Sequence, residues 1–169
     1  KRIKRLELHP ASAGTGEFQL DCFRLEANHC WHFDDPNEVY GVNQLTNALV
    51  TGGGFSGVSG PDGYFYFATD KRDPNVDADR AAIDADVFKK VRVRLTSSAA
   101  ATAELFWWKR GTSFFQTAFP VQAGTQTYEM DLTTNPNWSG EITRFRLDPA
   151  NAAGVSVSVD YVSISPVML

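Results

Sequence analysis

Apolar and polar residues alternate with a period of two over several short stretches of this chain, the pattern of strands half-buried against a core. Along 88–95, Val91, Val93 and Leu95 point one way and Lys90, Arg92 and Arg94 the other. In 126–132, Tyr128, Met130 and Leu132 oppose Thr127, Glu129 and Asp131, and in 142–148, Phe145 and Leu147 oppose Arg144, Arg146 and Asp148. The charged faces alternate in sign, so cross-strand ion pairs are expected wherever such strands are neighbours. The stretch 102–108 departs from this pattern: Ala103, Leu105 and Trp107 line one face, Glu104, Phe106 and Trp108 the other. One aromatic set must leave the core, to be covered by a loop or offered to a ligand. Trp108, which shares its parity with Glu104, is expected to be the outward ring and Trp107 the buried one. Tyr64 and Tyr66, alternating with Phe65 and Phe67, pose the same question.

The pattern predicts strands at 30–33, 47–51, 63–69, 87–97, 101–109, 114–121, 126–132, 141–148 and 154–165, with one weak helical turn near Ala81 to Asp84. Turn signals punctuate them at Gly52-Gly53-Gly54, Ser59 to Gly63, Lys109-Arg110-Gly111 and Asn135-Pro136-Asn137. Many short strands without long amphipathic helices predict an all-β fold, a two-sheet antiparallel β-sandwich of jelly-roll type.

An internal repeat shapes the domain reading. Residues 3–25 align without a gap on residues 142–164: Ile3 on Ile142, Arg5 on Arg144, Leu8 on Leu147, Pro10 on Pro149 and Asp21 on Asp160. Each copy reads as strand, Pro/Ala/Gly loop and strand. Residues 1–26 are therefore expected to be the closing hairpin of a preceding repeat, with 27–169 a complete module and neighbouring repeats of the same polypeptide as its partners.

Composition narrows the function classes. The chain has 169 residues, 43% hydrophobic and 21% charged, enough for one core-forming domain. A net charge of -4 argues against a nucleic-acid partner. No apolar run is long enough to span a bilayer, so no membrane insertion is expected. Cys22 and Cys30 are either bonded across a short loop or two free thiols. His29 and His32, three apart on a strand, fall on opposite faces, a poor zinc arrangement.

Several segments together carry a family resemblance: Trp31 to Asp34, Phe88 to Leu95, Ala103 to Trp107, Thr127 to Leu132, Trp138 to Pro149 and Val159 to Ile164. The pattern resembles a galactose-binding-domain-like jelly roll, similar to carbohydrate-binding modules of the family 4, 16 and 22 types. That resemblance implies a non-catalytic module of a secreted or cell-surface bacterial protein, often in tandem and often beside a polysaccharide-degrading enzyme. It implies a polysaccharide or oligosaccharide partner and an extracellular or cell-surface location. It also implies a structural Ca²⁺, with Asp160 as a possible ligand.

Sugars stack their C–H faces on aromatic rings while arginines and carboxylates bond the hydroxyls. The candidate ligand-binding residues are Trp108, Arg110, Phe114, Trp138 and Trp107, with Arg144 and Arg146 contributing if the ligand is acidic. Asp73, Asn75, Asp77 and Asp79, at every second position, are a second candidate calcium set, although Ala78 and Asp84 stand where an EF-hand has Gly and Glu. No nucleophile elbow or phosphate loop is present, so no catalytic residue is assigned. A structural or adhesive repeat without sugar ligand is the alternative, and a polysaccharide-degrading enzyme domain the third reading.

Overall fold

The computed structural model describes residues 29–68, 83–109 and 114–167. These form ten strands: β1 (His29–Trp31), β2 (Val39–Thr51), β3 (Gly54–Ala68), β4 (Ile83–Asp84), β5 (Phe88–Ser97), β6 (Ala101–Lys109), β7 (Phe114–Val121), β8 (Gly124–Asp131), β9 (Glu141–Asp148) and β10 (Ser156–Pro166). The one helical element among the described residues is a 3-10 turn, Pro36–Glu38, capped by the Asp35 side chain accepting from Asn37 N.

All pairings are antiparallel, and they make two leaves of a jelly-roll sandwich joined through β3. The first leaf runs β8–β5–β10. Its next position is filled by the first part of β3, where Val159 pairs with Phe55, and further along by β1, where Ile164 pairs with His29. The second leaf runs β7–β6–β9, followed by the end of β3, where Leu147 pairs with Phe65, and by β4, where Ile142 pairs with Ile83. β2 lies along the outside of β3 in both leaves. The 142–164 motif is therefore not a hairpin. Its two strands, β9 and β10, belong to opposite leaves, and the 149–155 loop arches over the core between them. The earlier copy, at residues 3–25, lies outside the described residues.

The alternation delivers the core. Val91, Val93 and Leu95 of β5 and Val159, Val162 and Ile164 of β10 face Leu105 and Trp107 of β6 and Phe145 and Leu147 of β9, all buried. Trp31 reaches across from the first leaf to Phe67 and Phe145, at ring separations of 5.1 and 5.8 Å. Burying a side chain of this size stabilises by roughly 1.5–3 kcal/mol. In β10 a register shift between Val159 and Tyr161 inserts Asp160, so apolar residues keep facing inward although the sequence alternation slips by one.

Three segments differ from the prediction. Ile83–Asp84, within the expected helical turn, is instead strand β4, held by pairing with β9. The stretch from Ser59 to Gly63 is not a turn but the middle of β3, and β2 begins eight residues earlier than expected, at Val39. The β3 stretch carries glycine and proline and β2 glycine and asparagine because the paired strands are irregular there. Gln44 and Asn47 of β2 adopt positive φ of 45° and 56°, and the β2–β3 register shifts beside each. The bulged β2 backbone leans onto β3 at Gly60, where a Cβ would lie 2.8 Å from Gln44 O. Gly60→Ala should therefore lower stability by roughly 1–3 kcal/mol. Gly52→Ala, with nothing within 4 Å of the added methyl, should change it by less than about 0.5 kcal/mol. Urea unfolding of the two variants checks the contrast.

Candidate functional site

The outer face of the second leaf carries a continuous set of aromatic rings with arginines between them. Strand register builds it. Trp108 on β6 pairs with Arg144 on β9 and with Phe114 on β7, and Arg144 pairs with Ala68 at the end of β3. One row along, Phe106 pairs with Arg146 and Gln116, and Arg146 with Tyr66. In the next row Glu104 pairs with Asp148. Because alternate residues share a face, all these side chains leave the core together while Trp107, Phe145, Phe65 and Phe67 enter it.

The rings form a path across the sheet. Tyr40 of β2 stacks on Tyr66, tilted by only 19° with centroids 5.6 Å apart. Tyr66 and Trp108 are 5.8 Å apart, as are Trp108 and Phe114. Phe114 is 53% exposed and Tyr40 45%, an unusual investment of large apolar side chains on a solvent face. Gly41 makes the Tyr66 ring position possible, since a Cβ there would lie 3.1 Å from the ring carbon Cδ2.

Each arginine is held between two rings. The guanidinium carbon of Arg144 lies 4.1 Å from the Trp108 centroid and 4.6 Å from that of Tyr66. That of Arg146 lies 3.5 Å from Tyr64 and 4.6 Å from Phe106. Such contacts contribute about 0.5–2 kcal/mol each. Beyond the rings the two differ. Arg146 donates through Nε to Asp148 Oδ1 at 2.6 Å and through Nη2 to Asp148 Oδ2 at 2.5 Å, and it also reaches Asp62 Oδ1 at 3.0 Å. Arg144 has no hydrogen-bond or ion-pair partner among the described residues, and its Nε is buried.

The outer face of the first leaf is built differently. Arg92 pairs with Glu129 and Arg94 with Asp160, each at 2.8 Å, and Lys90 also faces Glu129 at 3.6 Å. These are the cross-strand pairs expected from the alternating charge, exposed and individually weak.

Trp108 stands on the aromatic face with Arg144 and Arg146, as the parity reading expects, and Phe114 joins them from β7. Trp107 and Trp138, also expected to bind ligand, are buried to 0% and 2% exposure. Trp107 Nε1 donates to Asn137 O and Trp138 Nε1 to Phe88 O, and the two rings pack edge to face. The loop position of Trp138 suggests a binding residue, but the loop folds its ring under the sandwich edge. Both tryptophans are core residues. Arg110 and the set Asp73, Asn75, Asp77 and Asp79 lie outside the described residues. Asp160 accepts from Arg94, and among the described residues no group of three or more His, Cys, Asp or Glu side chains is placed to hold a metal. Cys30 is a free thiol, 3.2 Å from His32 Nε2; Cys22 lies outside the described residues. Tyr40, Tyr64, Tyr66 and Phe106 complete the face. The Tyr-Phe-Tyr-Phe alternation signals the two middle tyrosines, whereas Tyr40 sits in a segment whose composition hides its strand.

With this geometry in hand, the comparisons with solved structures are informative. Carbohydrate-binding modules of family 29 share the fold. One point mutant superposes with a TM-score of 0.58 at 11% identity, over 83% of this chain and 92% of that one. A mutant complexed with cellulohexaose gives 0.55 at 13% identity, over 82% and 91%. Another, complexed with mannohexaose, gives 0.57 at 11% identity, over 84% and 93%. The expected likeness to a carbohydrate-binding jelly roll therefore holds, with family 29 in place of families 4, 16 and 22. At such low identity it is a likeness of fold. No family model and no curated protein sequence matches the chain.

The Asp148–Arg146 pair gives a pH signature. Burial is the largest influence on Asp148 and raises its pKa, outweighing the opposing pull of Arg146. Between the unfolded carboxylate value and this higher folded value, the native state holds more proton than the unfolded chain. Stability from this group is therefore highest below that window and is lost as pH rises through it. Asp148→Asn, which mimics the protonated side chain, should gain on the wild type as pH is raised from about 3 to 7 in thermal unfolding; a constant difference between the two would show that Asp148 titrates normally.

Proposed function

We propose that this domain is a non-catalytic carbohydrate-binding module that takes a polysaccharide or oligosaccharide on the outer face of its second leaf. The observation that carries the reading is the row Tyr40, Tyr66, Trp108 and Phe114, which spaces four rings at 5.6–5.8 Å steps across one sheet with a guanidinium set between two of them. Stacked C–H faces supply the apolar part of such binding, and Arg144 and the Asp62 and Glu104 carboxylates supply hydrogen bonds to hydroxyls. The tilts of 54–56° between Trp108 and its neighbours make the surface corrugated, a shape that favours a twisted chain of sugars over a flat crystalline one.

Support also comes from the fold neighbours, two of which are described as complexes with cellulohexaose and mannohexaose. The repeat of residues 142–164 at 3–25 supports a place in a tandem array of such modules, and with it an accessory role beside a secreted polysaccharide-degrading enzyme.

Affinity electrophoresis through gels containing neutral and acidic polysaccharides tests the proposal. The wild type should be retarded by at least one polymer. Trp108→Ala should weaken that retention by roughly 1–3 kcal/mol with the fold intact, as for an aromatic anchor. Trp107→Ala should instead lose roughly 3–5 kcal/mol of stability. Retardation by no polymer would favour a structural or adhesive repeat, and release of reducing ends from a retained polymer would favour an enzyme.

A further inference from the structure

Arg144 is the one described arginine without a carboxylate. Arg92 has Glu129, Arg94 has Asp160, and Arg146 has Asp148 and Asp62. Arg144 is half-buried between Tyr66 and Trp108, which hold its plane but carry no countercharge. Of its three nitrogens, Nε is closed from solvent without an acceptor. The two Nη groups have no partner among the described residues and are not closed from solvent as Nε is. A guanidinium partly stripped of water and given no anion among the described residues is an incomplete site. The group that completes it best is a planar, two-oxygen carboxylate.

The rest of the face is arranged to the same end. Asp62 and Asp148 cluster around Arg146, one row along from Arg144, and Glu104 stands across the strand from Asp148. That end is acidic and repels a second anion. Around Arg144 the cross-strand neighbours are Ala68 and Trp108, with Phe114 beyond, none of them charged. Among the described residues the face therefore has a charge direction along β9, from a carboxylate-rich end to a cation without a carboxylate, flanked by two stacking rings.

Resting on the reading of this face as a saccharide site, we infer that its ligand is a uronic-acid-containing glycan, whose carboxylate pairs with Arg144 while the same sugar ring packs against Trp108 or Tyr66. Arg144 is the specificity-determining residue, and neighbouring sugars extend across Phe114 or Tyr40. No bond is made or broken in this interaction.

Two matched pairs of hexasaccharides separate this inference from the reading beneath it: mannohexaose against β-1,4-linked hexamannuronate, and cellohexaose against its hexaglucuronate counterpart. Within each pair the members differ only at C6, hydroxymethyl or carboxylate. Titration calorimetry on the full chain should give about tenfold tighter binding for the uronate member of at least one pair. Raising sodium chloride from 0.05 to 0.5 M should reduce that preference. Arg144→Gln should abolish that preference by weakening the uronate member more than its neutral partner, whereas Arg144→Lys should retain part of it. Equal or tighter binding of the neutral members would overturn the inference and leave the saccharide site standing. A uronate preference that survives in Arg144→Gln would assign the specificity elsewhere. Binding of none of the four, together with no retention on any polysaccharide, would remove both.

Discussion

A strand sends successive side chains to opposite faces, and β6 places aromatic rings in both directions. Only one of the two sets can enter the sandwich. Leu105 and Trp107 go in and fix the center of the second leaf, so Phe106 and Trp108 must go out. The neighbouring strands obey the same parity, with phenylalanines of β3 and β9 inward and tyrosines and arginines outward. The outer layer thus follows from the inner one. The packing that stabilises the core also positions the rings and guanidiniums of the candidate site on a rigid sheet, where binding requires little ordering of side chains.

Alternating rings and guanidiniums reconcile this outer layer with water. Each arginine covers the faces of two rings with its flat cation, and the rings hold it without the freedom an exposed side chain has. Having so fixed both arginines, the fold treats them differently. Arg146 is neutralised by Asp148 and Asp62, a pair buried enough for desolvation to raise the Asp148 pKa. Arg144 keeps its charge uncompensated among the described residues. The first leaf, where exposed arginines find exposed carboxylates, shows what the same residue types do when they only complete a solvated surface.

Much of this was legible in the sequence, and the reasons are local. The β5, β6, β8 and β9 segments alternate cleanly, so their existence and faces follow from period alone, including the outward Trp108. β2 and the first part of β3 were hidden because their irregular pairing selects glycine, asparagine and proline, residues that otherwise mark turns; with them went Tyr40. Trp138 shows the converse limit, since an aromatic residue in a loop gives no parity, and only the fold reveals that its indole is roofed by the core. The β9 and β10 segments read as a hairpin because strand, Pro/Ala/Gly loop and strand suits a hairpin and an arch between leaves alike. Only long-range pairing with β3 decides between them.

The central claim is that the outward ring of β6, and not a core tryptophan or the ion-paired face, meets the ligand. The four indole N–H groups report on this directly. Trp31, Trp107 and Trp138 are buried, and Trp108 alone stands on the outer aromatic face. In a two-dimensional ¹H–¹⁵N spectrum of the full chain, titrated with a retained hexasaccharide, the Trp108 indole peak, assigned by its loss in Trp108→Ala, should shift in proportion to occupancy. The three buried indoles and the Arg92 and Arg94 side-chain N–H groups should stay in place. Shifts confined to the Arg92–Arg94 face, or a bound hexasaccharide that leaves the Trp108 indole unmoved, would contradict the account.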